Sequence, residues 1–247
     1  MSRYKCDLHI HSCLSPCGDD DMTPGNIVGM AKLNGLDIVA LTDHNTSKNC
    51  PAFFEIAKKY GIVAVAGMEL TTSEDVHAVC LFRSLEAAME FDGFVDGKRF
   101  KIKNNAEIFG HQYIVDENDE ISGEEEHLLI NATEISLDEA YNEVLKCGGV
   151  CFPAHIDRES NGLISMLGDF PPDPLFTAFE LNDVHNLEEY ANRFPIIKER
   201  KLSYVASSDA HYLSDISEDG FEIELDASGT SEDVTNRLID YLLKKTR

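Results

Sequence analysis

The sequence predicts an α/β fold, a βα barrel of about seven strands with its working residues gathered at one end. Two observations carry that expectation. Short apolar runs beginning near Tyr4, Asp37, Ile62, Val76, Val150, Thr177 and Leu202 alternate, for the most part, with segments of helical periodicity. Most of these runs end in polar residues that can bind a metal or handle a proton, as barrel strands do where they meet an active-site face. A length of 247 residues suits one domain, residues 1–247, that buries a core without disulfides.

The first strand ends in Asp7-Leu8-His9-Ile10-His11. Side chains two apart on a strand face the same way, so His9 and His11 can close on one ion. A turn, Ser15-Pro16-Cys17-Gly18, and the acidic trio Asp19, Asp20 and Asp21 come next. Thr23-Pro24, an N-cap with proline at the first helical position, then opens a helix bearing Ile27, Met30 and Ala31 that stops at Gly35. In Asp37-Ile38-Val39-Ala40-Leu41 every residue after the first is apolar, as in a strand buried on both faces, and the run delivers Thr42-Asp43-His44-Asn45. A helix with Phe53, Ile56, Ala57 and Tyr60 on one side stops at Gly61, and the strand after it runs out at Glu69. In the strand over 76–82, His77 comes at the beginning, which suits an antiparallel member.

From 84 to 133 the rhythm lapses for longer than an ordinary connection, so this stretch is an insertion. It is expected to hold strands at 111–115 and 128–130 around an acidic turn, with Glu124, Glu125 and Glu126 as a solvated face. Ser136-Leu137-Asp138-Glu139 is a capping box that restarts the helical pattern. The strand over 150–154 delivers His155, with Arg158 just beyond it. A strand over 177–181 follows, and the one over 202–207 ends in Ser208-Asp209-Ala210-His211. The terminal helix, with Val234, Leu238, Tyr241 and Leu242 on one face, finishes in Lys244-Lys245, which suits the negative end of its dipole.

The formal net charge of -24, from 45 acidic and 21 basic residues, argues against long nucleic acid as a partner, because phosphates must be met by Lys and Arg. A small phosphorylated substrate is compatible with it, since divalent cations can make one cleft positive. Of the seven cysteines, all but Cys17 suit reduced, mostly apolar positions. No signal segment and no apolar run of membrane-spanning length is evident, so the expectation is a cytoplasmic protein without a membrane partner.

Six of the nine histidines (His9, His11, His44, His77, His155 and His211) fall at or beside strand ends, together with Asp43, Glu69 and Asp209. Convergence from six segments is far stronger evidence for a site than any single His-x-His. Imidazole and carboxylate together suit zinc, manganese or iron, and this many donors suggests two or three divalent ions. A carboxylate can reach two metals at once, and Glu69 is the candidate bridge.

The ordered set His9-x-His11, Thr42-Asp43-His44, Gly67-x-Glu69, His77, Pro153-Ala154-His155 and Ser208-Asp209-Ala210-His211 resembles the PHP family, named after polymerase and histidinol phosphatase. The resemblance covers most of the chain outside the insertion. It implies a distorted (β/α)7 barrel with a multinuclear metal site. It further implies that His9, His11, Glu69 and Asp209 hold a first ion, and Glu69, His77 and His155 a second. A third would take His44, His211 and a residue of the loop after His11. Where the commonest pattern has His or Asp in that loop, this chain offers Cys17, Asp19 and Asp20, with Cys17 nearest the usual spacing. A thiolate there would favour zinc, and Asp19 would leave manganese or iron open.

The chemistry expected is phosphoester hydrolysis, with water shared by two ions as the nucleophile. Asp43 is a candidate proton donor to the leaving group or, alternatively, orients a metal ligand. Arg158 is a candidate phosphate clamp or an ordinary ion pair. A small phosphomonoester of nucleotide type leads, with histidinol phosphate close behind. The rival readings are a partner-dependent 3'-5' exonuclease subunit and a metal-bound regulatory module.

Overall fold

Each of the seven apolar runs forms a strand in the computed structural model, which describes residues 1–218, 220–227 and 229–245. In chain order the strands are β1 (Ser2–Asp7), β2 (Ile38–Leu41), β3 (Val63–Thr71), β4 (His77–Phe82), β5 (Tyr113–Val115), β6 (Ile121–Glu124), β7 (Val150–Pro153), β8 (Ala178–Leu181), β9 (Ser203–Ala206) and β10 (Phe221–Leu225). A six-stranded sheet in the order β10-β1-β2-β3-β4-β7 curls into a half-barrel, and β8 and β9 form a separate parallel pair.

The architecture is the expected α/β one, distorted and not fully closed. β10, which the sequence reading did not anticipate, pairs antiparallel with β1 from Ser2 to Cys6 and takes the hydrogen bonds that a closing β9 would need. β9 therefore reaches β1 only above that point, where Ile10 bridges Ala210 and the His11 N–H donates to the Ala210 carbonyl at 3.0 Å. On the other flank β7 and β8 meet through the Ile156 N–H and the Glu180 carbonyl, at 2.9 Å. β4 runs antiparallel to both β3 and β7, with Thr71 opposite His77. That orientation puts the start of β4 at the same end as the finish of β3, so His77 joins the residues at the other strand ends.

The helices are α1 (Pro24–Leu33), α2 (Cys50–Tyr60), α3 (Leu85–Asp96), α4 (Ala106–Phe109), α5 (Leu137–Lys146), α6 (Leu163–Leu167), α7 (Leu187–Arg193), α8 (Ile196–Glu199) and α9 (Ser231–Leu242). Local chemistry accounts for their limits. Thr23 and Ser136 accept backbone N–H bonds at the starts of α1 and α5, and Gly61, at φ 70°, closes α2 in the left-handed conformation that glycine adopts freely. Ile27, Phe53, Phe82, Phe91 and Val144 fill the layer between sheet and helices. Leu8, Ala40, Val65, Val79, Leu81 and Phe152 fill the concave side together with Val234, Leu238 and Leu242 of α9. With that space packed by hydrocarbon, polar chemistry is confined to the end where β1, β2 and β3 finish.

The segment 84–133 departs from its expected content. It opens with the twelve-residue helix α3, and its hairpin is β5 with β6 rather than 111–115 with 128–130. Residues 128–130 are irregular because other groups take their backbone: the Leu129 N–H donates to Gln112 Oε1 at 2.9 Å and the Leu128 N–H to the Ile102 carbonyl at 2.8 Å. Glu125, expected on a solvated face, is instead buried against Lys48 and Arg99, whose positive charges compensate it. No helix among the described residues is long and apolar enough to cross a membrane.

Candidate metal centre

The ends of β1, β2, β3, β7 and β9 and the start of β4 bring eight sequence-predicted donors to one place: His9, His11, His44, Glu69, His77, His155, Asp209 and His211. Gly67 shows how tightly the strands approach: a Cβ there would lie 2.8 Å from both Leu81 and Thr42 side-chain atoms. That close packing carries Glu69, two residues on, into the middle of the cluster. Its Oε1 lies 2.7 Å from His77 Nδ1, 3.0 Å from His155 Nε2 and 3.4 Å from His9 Nε2. Its Oε2 lies 3.0 Å from His44 Nδ1 and 3.3 Å from His11 Nε2. One carboxylate thus faces five imidazoles.

Asp209 forms the second acidic pole, with Oδ1 3.0 Å from His11 Nε2 and 3.3 Å from His9 Nε2. His155 and Asp209 both have positive φ, 24° and 50°, an uncommon conformation for residues with a Cβ. At both positions the chain bends out of its strand and turns the side chain into the centre.

Among the described residues, three groups of donors are compact enough to hold an ion, with ligand atoms within 4.8 Å of one another: His9, His11, Glu69 and Asp209; His44, Glu69 and His77; and His11, His44 and His211. The first is the set implied for the first ion. The second and third share out the remaining histidines differently from the implied sets, placing His44 with Glu69 and His77, while His155 reaches the cluster through Glu69. Cys17 is an exposed residue outside these compact groups, but its thiol lies against His44 and His211. Asp19 uses Oδ1 to accept from the Asp21 N–H instead.

The electrostatics fit cations. Burial pushes the Glu69 and Asp209 carboxyls up, yet the surrounding imidazoles hold both well below the usual carboxylate range. Burial opposes charge on His9 and His44 as well, but Glu180, Asp209 and Glu69 keep the His9 ring, and the Cys17 thiolate with Glu69 the His44 ring, well above the ordinary value. Burial lowers His77. The Nδ1 atoms of His44 and His77 face the Glu69 carboxylate without the angles of a hydrogen bond, and His155 Nδ1 is buried without a hydrogen-bond partner. Two ionised acids, six imidazoles and an orphaned ring nitrogen in one buried place form a donor set that divalent ions would satisfy.

Several supporting residues escaped the sequence reading. Glu180 of β8 is buried, and its Oε2 lies 2.9 Å from His9 Nδ1 while accepting the His155 N–H at 3.1 Å. A charged residue in the otherwise apolar Ala178-Phe179-Glu180-Leu181 was the available signal. Ser12 and Ser15 engage Asp43: Oδ1 accepts the Ser12 N–H and the Ser15 hydroxyl, both at 2.7 Å, and Oδ2 the Ser12 hydroxyl at 2.7 Å. Ser15 Oγ in turn lies 3.1 Å from His11 Nδ1 and accepts the His44 N–H at 3.1 Å. Asp43 is therefore engaged beneath the ligands. Arg158, 41% exposed, pairs with Asp209 Oδ2.

Comparison with known proteins agrees with this geometry. The PHP domain family matches residues 7–160, more than half of the chain. The chain belongs to the PHP family. An uncharacterized protein of Methanocaldococcus jannaschii is 37% identical to this PHP protein over 78 residues, 28% of this chain and 46% of the relative, so the chain spans about half the length of that relative. The lesion-specific endonuclease Q of Pyrococcus furiosus shares the fold at a TM-score of 0.60 and 19% identity, over 95% of this chain and 55% of its own. A Bifidobacterium adolescentis protein described as a metal-dependent phosphoesterase does so at 0.58 and 20%, over 83% and 87%. At such identities the two structures testify to the fold alone.

Proposed function

We propose that this PHP protein is a metal-dependent phosphoesterase that hydrolyses a small phosphomonoester, of nucleotide type or like histidinol phosphate. The observation that carries the reading is Glu69, a buried carboxylate facing five imidazoles at 2.7 to 3.4 Å. His9, His11, Glu69 and Asp209 would hold one ion, and Glu69 with His44, His77 and His155 a second. His211 and Cys17 complete a third position at the exposed side. Bound ions of zinc, manganese or iron type would neutralise phosphoryl oxygens and lower the pKa of a water that they share.

The chain's own residues supply the rest. Glu180 orients His9 by holding Nδ1, and Asp43 orients His11 through Ser15, which assigns Asp43 to positioning because both its oxygens are already acceptors. Arg158 spends one nitrogen on Asp209, and its remaining donors lie beside the centre on a partly exposed side chain, where a substrate phosphate can use the planar fork. The acidic surface favours small substrates over long nucleic acid.

The test is phosphate release by manganese-loaded protein from histidinol phosphate, nucleoside mono- and bisphosphates and short 5'-phosphorylated oligonucleotides, each with a chelator control. Release from one small-molecule class, abolished by chelator, is expected. Metal bound without release from any of them would leave the regulatory or partner-dependent reading.

A further inference from the structure

Two buried asparagines on the loop after β2 are absent from the ligand set, yet each spends its whole amide on the surroundings of the centre. Asn45 follows His44 directly and sits at φ 52°, in the left-handed region that asparagine tolerates better than most residues. Its backbone N–H donates to the Glu69 carbonyl at 2.9 Å, and its Oδ1 accepts the Thr71 N–H at 2.8 Å. Its Nδ2 donates to the carbonyls of Leu129 and Asn131, at 2.5 and 2.9 Å. One side chain thus ties the strand ends that carry His44 and Glu69 to residues 129–131.

Asn49 makes the matching connection on the His11 side. Its Nδ2 donates to Ser12 Oγ at 3.0 Å and to the Tyr113 carbonyl at 3.1 Å, and its Oδ1 accepts the Val115 N–H at 3.1 Å. Ser12 passes this connection to Asp43, Asp43 to Ser15, and Ser15 to His11. A segment that only decorated a barrel would be held through contacts remote from the ligands. Here the backbone at 113, 115, 129 and 131 is fastened by amides whose other bonds reach the backbone beside Glu69 and the Ser12 hydroxyl beneath His11.

We infer that Asn45 and Asn49 are positioning residues, and that through them the segment 84–133 forms a wall of the centre on which metal retention depends. The inference rests on the metal-binding reading above. Partners of ligand residues typically change metal affinity about 10- to 100-fold when removed. Asn45→Gly keeps the positive φ available while deleting the amide, so it isolates the side chain. Gln112→Ala acts from the other direction. Gln112 is buried and binds the carbonyls of Glu125 and His127 and the Leu129 N–H, so its loss loosens the wall without touching a ligand strand.

The experiment titrates metal-free wild type, Asn45→Gly and Gln112→Ala with Mn2+, reading bound metal by equilibrium dialysis, turnover of an aryl phosphate, and amide exchange over 126–133. Asn45→Gly should need roughly tenfold more Mn2+ for half-occupancy. Its kcat should recover at saturating metal, its KM should stay unchanged, and exchange over 126–133 should be faster. Gln112→Ala should shift the same way by less, and keeps the test decisive if Asn45→Gly does not fold. Faster exchange with wild-type Mn2+ affinity would overturn the inference. Wild type that binds no Mn2+ would instead overturn the metal reading, so the two failures are distinguishable.

Discussion

The centre has a deep side and a mouth, and they are built differently. On the deep side His9 and His155 are almost completely buried, and the buried Glu180 carboxylate holds the second ring nitrogen of one and the backbone of the other. At the mouth Cys17 is exposed, the His211 side chain is 23% exposed, and His211 Nδ1 is held by the carbonyl of Asp209, two residues away. A ligand with a buried carboxylate behind it keeps its tautomer and orientation before any ion arrives. One on a local backbone contact is freer to rearrange. The deep positions should therefore retain metal, and the mouth should exchange it.

Mutation can break that contrast, and Glu69 should show the largest effect because it serves both sides. Glu69→Gln replaces a charge shared among five imidazoles with an amide that cannot bridge two cations. Metal content should fall by most of its wild-type value and turnover by roughly a hundredfold or more, measured by plasma emission and phosphate release. Full turnover in that variant would remove Glu69 from the bridging role. Glu180→Gln comes next. It leaves every proposed ligand in place but weakens the hold on His9, so Mn2+ affinity should drop by about 10- to 100-fold while the mouth residues are unaffected. If Glu180→Gln binds metal like wild type, the deep side owes its order to packing alone.

The same contrast explains what could be read from the chain. Strand-end histidines were legible because His, Asp and Glu beside apolar runs are costly unless they do something, and their order carried the family resemblance. Glu180 was legible as an anomaly but not as a function, since nothing in Ala178-Phe179-Glu180-Leu181 says which residue it faces across the barrel. Asn45 and Asn49 were less visible still. Their roles depend on carbonyls more than sixty residues away, Asn131 in irregular backbone and Tyr113 in a short strand, and no periodicity says which side chain those carbonyls will meet. β10 was missed for a related reason: Phe221-Glu222-Ile223-Glu224-Leu225 alternates only over five residues and pairs with the first strand of the chain.

Cys17 offers the smallest and most discriminating test of the mouth. Desolvation pushes its thiol up, but positive charge on His44 and hydrogen bonds with His211 and His44 bring it down to about 5 in the metal-free protein. A thiol whose pKa is lowered by folding contributes stability above its ordinary value near 9 and loses that contribution as pH falls through about 5, so this term grows with pH across that window. Alkylation followed by mass spectrometry should show Cys17 reaching half its maximal rate near pH 5. Cys6, Cys13 and Cys50, whose thiols burial pushes up to about 12 or beyond, should stay unreactive. Zinc added first should protect Cys17, and Cys17→Ser should lower zinc content modestly without unfolding the chain. An ordinary alkylation profile with unchanged zinc content would separate Cys17 from His44 and His211 and pass the third position to Asp19 or Asp20, whose oxygens favour a harder ion.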